Sequence, residues 1–400
     1  VKEPRFKRAG RGIVNRVPAW RPLIRDVDLI VCDMVGFGEY KTIFDQIKKP
    51  TISCSEVGDL LELDRRYGMK VAKTLGITIP ETWEFRSVAD ARNFPKALEW
   101  RAGFVVKPDG NLATSTTMVI KDSDLWDYSL DKLPPATSLI IQRIVDGVEI
   151  STEGWFNGET FITPFNHTFE EKRFLVGNLG QNTGCMGNIV FRADSNKLTR
   201  NTVERLEPLL KKIHYHGPID INCIVNEKGA FALEFTARLG YDAIETLYEG
   251  LHGETFADFL FGVAMGRKEI MRLSSDTLIA VRLSIPPWPI SKPAPDDWGE
   301  PVGGITPANL PHLYFTDLYR DRDGKYKTAG GDGVLLKATA RGRAVENTIN
   351  GKPVLDFTRE ARRRVYRTLE GIKVSSAQYR TDIGSRVNGE MLKLKEWGWL

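Results

Sequence analysis

Cysteine, histidine and long apolar runs are scarce in this chain of 400 residues, and each scarcity excludes a class of protein. The four cysteines and five histidines do not have the spacing of a zinc site. We therefore expect unpaired thiols in a reducing compartment, which predicts a cytoplasmic protein. No uninterrupted apolar run approaches about 18 residues, which excludes a membrane-spanning helix. Residues 1–5 lack the apolar core of a signal peptide, and the missing initial Met suggests a truncated start.

Common catalytic motifs are also missing. The sequence has no G-x-x-x-x-G-K-[ST], no H-E-x-x-H and no G-x-S-x-G, which excludes P-loop enzymes, one class of zinc peptidases and α/β-hydrolases. Gly36 and Gly38 follow an apolar segment, but the third glycine of a dinucleotide fingerprint is absent. The net charge of +4 is too small for a nucleic-acid binder and suits a phosphorylated substrate. We expect small-molecule substrates, no nucleic-acid or membrane partner, and a monomer or weak dimer.

The predicted secondary structure changes along the chain. An apolar segment at 27–32 is followed by a helical stretch and a second apolar segment at 50–54, and this β-α-β order predicts a parallel sheet. Further along, short strands dominate. Residues 170–188 are polar and contain many glycines, which predicts irregular structure, and the proline-rich stretch 286–301 predicts a linker. The fold class predicted is a multidomain protein with α/β and α+β parts.

Two segments have the residue types of a nucleotide site. Lys107 ends a predicted strand, and a loop of small hydroxyl residues follows at 113–117. An ammonium group neutralises polyphosphate charge while small residues let backbone N–H groups approach. The segment Gln142–Glu149 is a hinge whose backbone can meet an adenine edge and whose last carboxylate can accept ribose hydroxyls. Taken alone, an ordinary edge lysine explains Lys107 equally well.

Two carboxylates form a candidate metal site. Asp220 and Glu234 lie on successive predicted strands joined by a turn at Asn226–Gly229. In a hairpin they are expected to converge, and two carboxylates with phosphate oxygens suit Mg²⁺. Arg238 follows Glu234 by four residues and is expected to meet phosphate.

Five motifs, in order, resemble those of the glycinamide ribonucleotide synthetases (phosphoribosylamine–glycine ligases) of the ATP-grasp superfamily. The resemblance extends over roughly residues 27–386. The matching segments are Lys172-Arg173 on the family's D-H-K-R, Gly180–Gly187 on G-P-N-T-G-G-M-G, Glu234–Gly240 on E-F-N-A-R-F-G, Ala329–Gly331 with Val334-Leu335 on S-G-G-R-V-L, and Tyr379–Gly384 on Y-R-x-D-I-G.

The resemblance implies roles for individual residues. The residues implied for ATP binding are Arg65 and Lys107 at the phosphates, Gln142 and Val145 at the adenine, and Glu149 at the ribose. The residues implied for the other substrates are Asn182, Thr183, Gly184, Met186 and Gly187, and those implied for the reaction itself are Lys172, Arg173 and Arg238. The implied metal ligands are Glu234 and Thr236, and Asp220 is similar to the first acidic ligand of other ATP-grasp enzymes.

The chain departs from the family's pattern at several positions. Thr236 replaces the magnesium-binding Asn, Glu170-Glu171 replaces D-H, and Cys185 replaces a Gly beside the presumed acceptor site. The loop after Lys107 lacks the A-G-K-G glycines, and the opening G-G-R-E-H-A segment, which helps to hold the ribose phosphate, is absent. These departures suggest a diverged or N-terminally shortened member.

The resemblance implies an ATP-grasp fold in three parts. These are a Rossmann-like remnant at 1–58, an ATP-grasp domain at 59–285 with a mobile lid at about 77–165, and a C-terminal α+β domain at 286–390. It implies an ADP-forming ligase that uses ATP and Mg²⁺ or Mn²⁺ to join glycine to 5-phosphoribosylamine in purine biosynthesis. Two alternatives stay open: a diverged ligase for a different amino acid or amine, and a catalytically silent ATP-binding relative.

Overall fold

The computed structural model describes residues 6–92, 94, 103–109, 117–268, 270–290, 299–349 and 352–400. Most of the predicted hydroxyl-rich loop and the middle of the proline-rich stretch lie outside the described residues. None of the helices described is both long and apolar enough to cross a membrane. The four cysteines are buried and form no disulfide.

The described chain is richer in strands than in helices. Its helices are α1 (Lys41–Gln46), α2 (Glu56–Leu63), α3 (Arg65–Thr74), α4 (Val88–Arg92), α5 (Trp126–Leu130), α6 (Lys197–Asn201), α7 (Glu207–Lys212), α8 (Ala243–Gly250), α9 (Phe256–Ala264), α10 (Arg359–Gly371) and α11 (Val387–Glu396). Its strands are β1 (Ile30–Val31), β2 (Thr51–Ile52), β3 (Thr82–Phe85), β4 (Phe104–Pro108), β5 (Met118–Ile120), β6 (Leu139–Arg143), β7 (Val148–Asn157), β8 (Phe161–Leu175), β9 (Leu179–Ala193), β10 (His216–Asn226), β11 (Gly229–Thr236), β12 (Thr277–Ser284), β13 (Leu313–Phe315), β14 (Leu318–Arg320), β15 (Tyr326–Thr328), β16 (Val334–Gly342), β17 (Val345–Ile349) and β18 (Lys352–Asp356).

An eight-stranded antiparallel sheet, in the order β11-β10-β7-β8-β9-β12-β16-β13, organises most of the chain. Side chains alternate between its faces because successive residues of a strand point in opposite directions. Ile150, Ile219 and Ile221 are buried in the largest apolar cluster of the described residues. Glu149 and Asn222 project from the opposite face, which therefore carries the polar groups.

The N-terminal part is a small α/β unit. β1 and β2 pair in parallel, with Ile30 opposite Thr51, and α1 lies between them in the sequence. The β-α-β order predicted from the apolar segments is therefore present. Helix α2, which follows β2, begins at a Ser55 cap whose hydroxyl accepts a hydrogen bond from the Gly58 N–H.

A four-stranded antiparallel sheet, β3-β6-β4-β5, forms a separate layer with its own apolar cluster. It extends from Thr82 to Arg143. β7 and the first part of β8 fall within the predicted lid at about 77–165 but belong to the eight-stranded sheet. The sheet boundary therefore lies near residue 143 and not near 165.

The prediction of irregular structure at 170–188 is wrong. These residues lie in β8 and β9, two 15-residue strands that form a long hairpin. The turn contains Gly177 and Asn178 with positive φ angles of 71° and 57°, which glycine and asparagine adopt more easily than other residues. The glycines and polar side chains that suggested a loop lie on strands whose polar face lines a cavity.

Candidate active site

A cavity of about 460 Å³ lies between the four-stranded sheet and the polar face of the eight-stranded sheet. Residues of both sheets line it, together with Arg65 at the start of α3 and Arg386 near the C-terminus. The lining includes every residue implied for ATP binding: Arg65, Lys107, Gln142, Val145 and Glu149. Residues far apart in sequence therefore converge on one site, as the resemblance implies.

One end of the cavity is largely apolar and includes the hinge. Val105, Val145 and Leu233 line it. Gln142 is buried, and its Nε2 donates a hydrogen bond to Thr82 Oγ1 at 3.1 Å. Its Oε1 is buried without a partner among the described residues. An apolar slot beside a fixed hinge is suited to a flat heterocycle.

Two cations lie beside Glu234. Lys107 on β4 is 5% exposed, and its Nζ donates to the Leu233 carbonyl at 3.0 Å. Burial lowers the pKa of Lys107 to about 8, although Glu234 opposes this shift. Arg65 Nη1 lies 3.3 Å from Glu234 Oε2, and the buried Arg65 Nε has no partner in the described part of the chain. Both side chains are held in place with donor capacity left for an anion.

Lys172 bridges three carboxylates in the middle of the cavity. Its Nζ lies 2.8 Å from Glu149 Oε1, 3.3 Å from Glu170 Oε2 and 3.8 Å from Glu234 Oε1. Although burial alone lowers the pKa of Lys172, these carboxylates raise it well above its ordinary value. Burial raises the pKa of Glu234, but Lys172, Arg65 and Lys107 together lower it to about 2. The cavity therefore holds a charged network at neutral pH.

The strand register corrects the predicted metal site. Asn222, not Asp220, lies directly opposite Glu234, while Asp220 lies opposite Thr236. A β-bulge between Asn222 and Cys223 produces this register. Burial and the neighbouring Glu153 carboxyl raise the pKa of Asp220 well above its ordinary value. Asp220 does not line the cavity, and its Oδ1 accepts a hydrogen bond from Ser151 Oγ at 3.2 Å.

Asn222 places a side-chain oxygen opposite Glu234, where Asp220 was expected. It is 4% exposed, and its Nδ2 donates to Glu149 Oε1 at 3.0 Å. Its Oδ1 is buried and has no hydrogen-bond partner among the residues described. No cluster of three His, Cys, Asp or Glu side chains suited to a metal occurs in the described ranges. Ionised Glu234 and the unused Asn222 oxygen are hard donors that fit Mg²⁺, which takes few protein ligands.

Arg238 is held away from the cavity. Its Nη2 donates to Glu62 Oε1 at 2.9 Å, and its guanidinium carbon lies 3.8 Å from the centre of the Tyr241 ring. It is not among the residues that line the cavity. The expected contact with nucleotide phosphate therefore does not follow from this geometry, because Glu62 competes for the guanidinium.

The predicted acceptor segment on β9 divides into two parts. Asn182, Thr183 and Gly184 line the cavity, whereas Met186 is fully buried in the core. At Gly187 an added Cβ would lie 2.6 Å from the Ala280 carbonyl oxygen, so this glycine is required by strand packing. Met186 and Gly187 are thus wrong as cavity residues, because β9 is by then an interior strand between β8 and β12.

The remaining predicted residues lie near the hairpin. Arg173 lines the cavity and donates to the Gly180 carbonyl at 2.8 Å across the hairpin. Cys185 is 4% exposed and does not line the cavity; it faces Asp242 and Arg282 inside the protein. Cys185, which was expected to reshape the acceptor pocket, is therefore buried in the protein and not part of the cavity wall.

Sequence reasoning missed Asn222, Glu62 and Arg386. Counting back from the Asn226–Gly229 turn without a bulge pairs Glu234 with Ile221, so the sequence carries no signal for Asn222. Arg386 follows the Tyr379–Gly384 motif by two residues, and this proximity was the only feature of the sequence that pointed to it as a cavity residue.

Comparison with known families matches residues 64–244 to the model described as "Phosphoribosylglycinamide synthetase, ATP-grasp (A) domain". Two phosphoribosylamine–glycine ligases are similar over most of both lengths. That of Leifsonia xyli subsp. xyli is 26% identical over 340 residues, which cover 82% of this chain and 76% of that protein. That of Clostridium acetobutylicum is 24% identical over 351 residues, which cover 82% and 77%.

Solved structures are similar in fold. A phosphoribosylamine–glycine ligase from Thermotoga maritima has a TM-score of 0.63 at 20% identity, over 83% of this chain and 82% of that one. A biotin carboxylase from Campylobacter jejuni has a TM-score of 0.59 at 13% identity, over 89% and 77%. The predicted ATP-grasp fold is confirmed.

Proposed function

We propose that the chain is an ADP-forming carboxylate–amine ligase, because residues 64–244 match the model of the phosphoribosylglycinamide synthetase ATP-grasp domain. The observation that carries this proposal is the cavity in which Lys107, Arg65 and Lys172 lie around ionised Glu234. Glu149 and Glu170 also face these cations, but the described lining of the whole cavity has six lysines and arginines against four glutamates. This excess of positive charge suits a polyphosphate.

The reaction has two steps. A carboxylate oxygen of one substrate attacks the γ-phosphorus of ATP, the bond to the β-phosphate oxygen breaks, and ADP leaves. The amine nitrogen then attacks the carbonyl carbon of the acyl phosphate, the carbon–oxygen bond to phosphate breaks, and the nitrogen loses a proton. Lys107, Arg65 and Lys172 stabilise the charge that moves between phosphate oxygens in the first step.

Glu234 and Asn222 would hold Mg²⁺ or Mn²⁺ together with the nucleotide. Thr236, the other implied ligand on β11, lies opposite Asp220 and, like Asp220, does not line the cavity. The ion supplies charge neutralisation at the phosphate oxygens. Lys172 forms ion pairs with Glu149 and Glu170 as well as with Glu234, so it reduces the repulsion between these carboxylates when a nucleotide enters.

The substrates we propose are glycine and 5-phosphoribosylamine, which give glycinamide ribonucleotide in purine biosynthesis. The names of the relatives support this choice. Asn182, Thr183 and Gly184 border the cavity. Among the described residues other than its two chain neighbours, none has an atom within 4 Å of a Cβ added at Gly184, so a small amino acid has room there. We propose domain boundaries after residues 58 and 285, and a lid within the second domain that ends near residue 143. Closure of this lid would protect an acyl phosphate from water.

A diverged ligase for another amino acid or amine is the second candidate. Glu170 and Glu171 replace the family's D-H pair, and both line the cavity. Two carboxylates at this position alter the charge that an incoming substrate meets.

The test is ADP release measured with each amino acid, with and without 5-phosphoribosylamine. Glycine-dependent release that requires 5-phosphoribosylamine is expected. Turnover with another amino acid and none with glycine would establish the second candidate instead. If the chain binds ATP but releases no ADP with any amino acid and amine, the catalytically silent relative is the remaining alternative.

A further inference from the structure

The C-terminal motif Tyr379–Gly384 is hydrogen-bonded to the β8–β9 hairpin through Arg380. Arg380 is 2% exposed and makes two 2.7 Å hydrogen bonds to Asp382. The same guanidinium donates to the Arg173 carbonyl at 3.0 Å and to Asn178 Oδ1 at 2.9 Å. The motif therefore acts on the strand that carries Lys172 and Arg173.

A second arginine continues this contact into the cavity. Arg386 Nε donates to Glu171 Oε1 at 2.8 Å, and Arg386 Nη2 donates to the Glu170 carbonyl at 2.8 Å. Glu171 is 4% exposed and also lies 3.5 Å from Arg380. Arg386 Nη1 donates to Glu390. Three directional bonds thus fix one guanidinium beside the two residues that precede Lys172.

The strand ladder is incomplete around Lys172. The pairing of β7 with β8 ends at Ser151 and Thr168, and the pairing of β8 with β9 is irregular between Glu171 and Arg173. Ladder hydrogen bonds normally hold a strand in register, so the backbone at Lys172 has less of this restraint than the rest of β8. Thr183 Oγ1 donates to the Lys172 carbonyl at 2.9 Å, and the bonds from Arg386 restrain the two residues before it.

We propose that Arg386 is a positioning residue that holds the Glu170–Lys172 segment so that the Lys172 ammonium reaches the nucleotide site. This inference rests on the proposed function, since it takes Lys172 as a nucleotide-site cation. Arg386 acts through the backbone and through Glu171, and not by contact with the nucleotide. Its effect on binding therefore depends on the presence of the Lys172 side chain.

A double-mutant cycle tests this dependence. ADP with magnesium is titrated by calorimetry into the full chain and into Arg386→Gln, Lys172→Met and the double variant. Arg386→Gln is expected to weaken ADP by about tenfold in the wild-type background and by less than about twofold in the Lys172→Met background. Arg386→Lys is expected to lie between, because lysine keeps the charge without the planar fork. Arg363→Gln, an exposed arginine on α10, is the matched control and should bind as wild type.

Additive losses would overturn the proposal, because they would mean that Arg386 acts on the ligand or on the fold independently of Lys172. If Arg386→Gln fails to fold, the same cycle with Arg386→Lys decides the question. The proposed function fails if the unmodified chain does not bind nucleotide. Only the positioning role fails if Lys172→Met weakens ADP and Arg386→Gln does not.

Discussion

The parts of the cavity proposed for the nucleotide and for the acceptor differ in how their side chains are held. At the proposed nucleotide end, Lys107, Glu149 and Glu234 lie on paired strands, and each has at least one sequence neighbour buried in an apolar cluster. At the acceptor end, Thr183 and Gly184 lie on a hairpin whose ladder is irregular and which the C-terminal arginines fasten. A regular strand places a side chain by alternation alone, whereas an irregular hairpin depends on residues distant in sequence.

The largest effect should come from the carboxylate at the centre of the nucleotide end. Glu234→Gln is expected to lower ADP release at least about a hundredfold, because an amide cannot offer the charge that holds magnesium and balances Lys172. Glu227→Gln in the exposed turn of the same hairpin is the control. An active Glu234→Gln variant at ordinary magnesium would contradict the assignment.

Loss of the buried lysine should be the next largest effect. Lys107→Ala is expected to weaken ATP roughly ten- to a hundredfold, because a charge-assisted contact in a desolvated site is lost. Lys121→Ala, an exposed lysine just beyond β5, should leave the affinity unchanged. Equal affinity of Lys107→Ala and wild type by calorimetry would remove Lys107 from the site.

The bulged register allows a comparison between two neighbouring residues. Asn222→Ala is expected to raise the magnesium concentration for half-maximal ADP release by about tenfold, whereas Asp220→Asn should change it less than about twofold. The reason is that only Asn222 faces Glu234 and the cavity. The opposite order would restore Asp220 as the metal ligand.

These residues show where sequence reasoning succeeds and where it stops. The order of motifs was sufficient to predict the ATP-grasp fold, and the five residues that it implies for ATP binding all line one cavity. It failed at Asp220 because a regular hairpin pairs Glu234 with Ile221, and only the bulge places Asn222 opposite Glu234 and Asp220 opposite Thr236. It failed at Arg238 because the competing carboxylate of Glu62 lies on helix α2, far away in the sequence. Neither a bulge nor a distant ion pair leaves a local pattern in the sequence.

The pH dependence of ATP affinity tests the buried lysine in a different way. The pKa of Lys107 is lowered to about 8 by burial. The ammonium form binds phosphate, so affinity should be nearly full below about pH 7 and should fall about tenfold between pH 7 and pH 9 as the proton is lost. The Lys107→Ala variant should lose this dependence. A profile of the same shape in that variant would assign the titration to another group.

The smallest effect on substrate binding is expected at Cys185, which stands where the family has a glycine in the acceptor segment. Cys185 is turned towards Asp242 and Arg282 and does not border the cavity. Cys185→Gly, which restores the family's residue, should therefore change the KM for the amino-acid substrate less than about twofold. It should lower stability by about 1–2 kcal/mol, because it leaves a small void and a more flexible backbone.

Gly184→Ala is the matched variant, since its methyl group enters the open space beside the cavity and should raise the KM for the amino-acid substrate more. A larger change in KM for Cys185→Gly than for Gly184→Ala would mean that Cys185 contacts the substrate, and the acceptor end would then be as predictable from sequence as the nucleotide end.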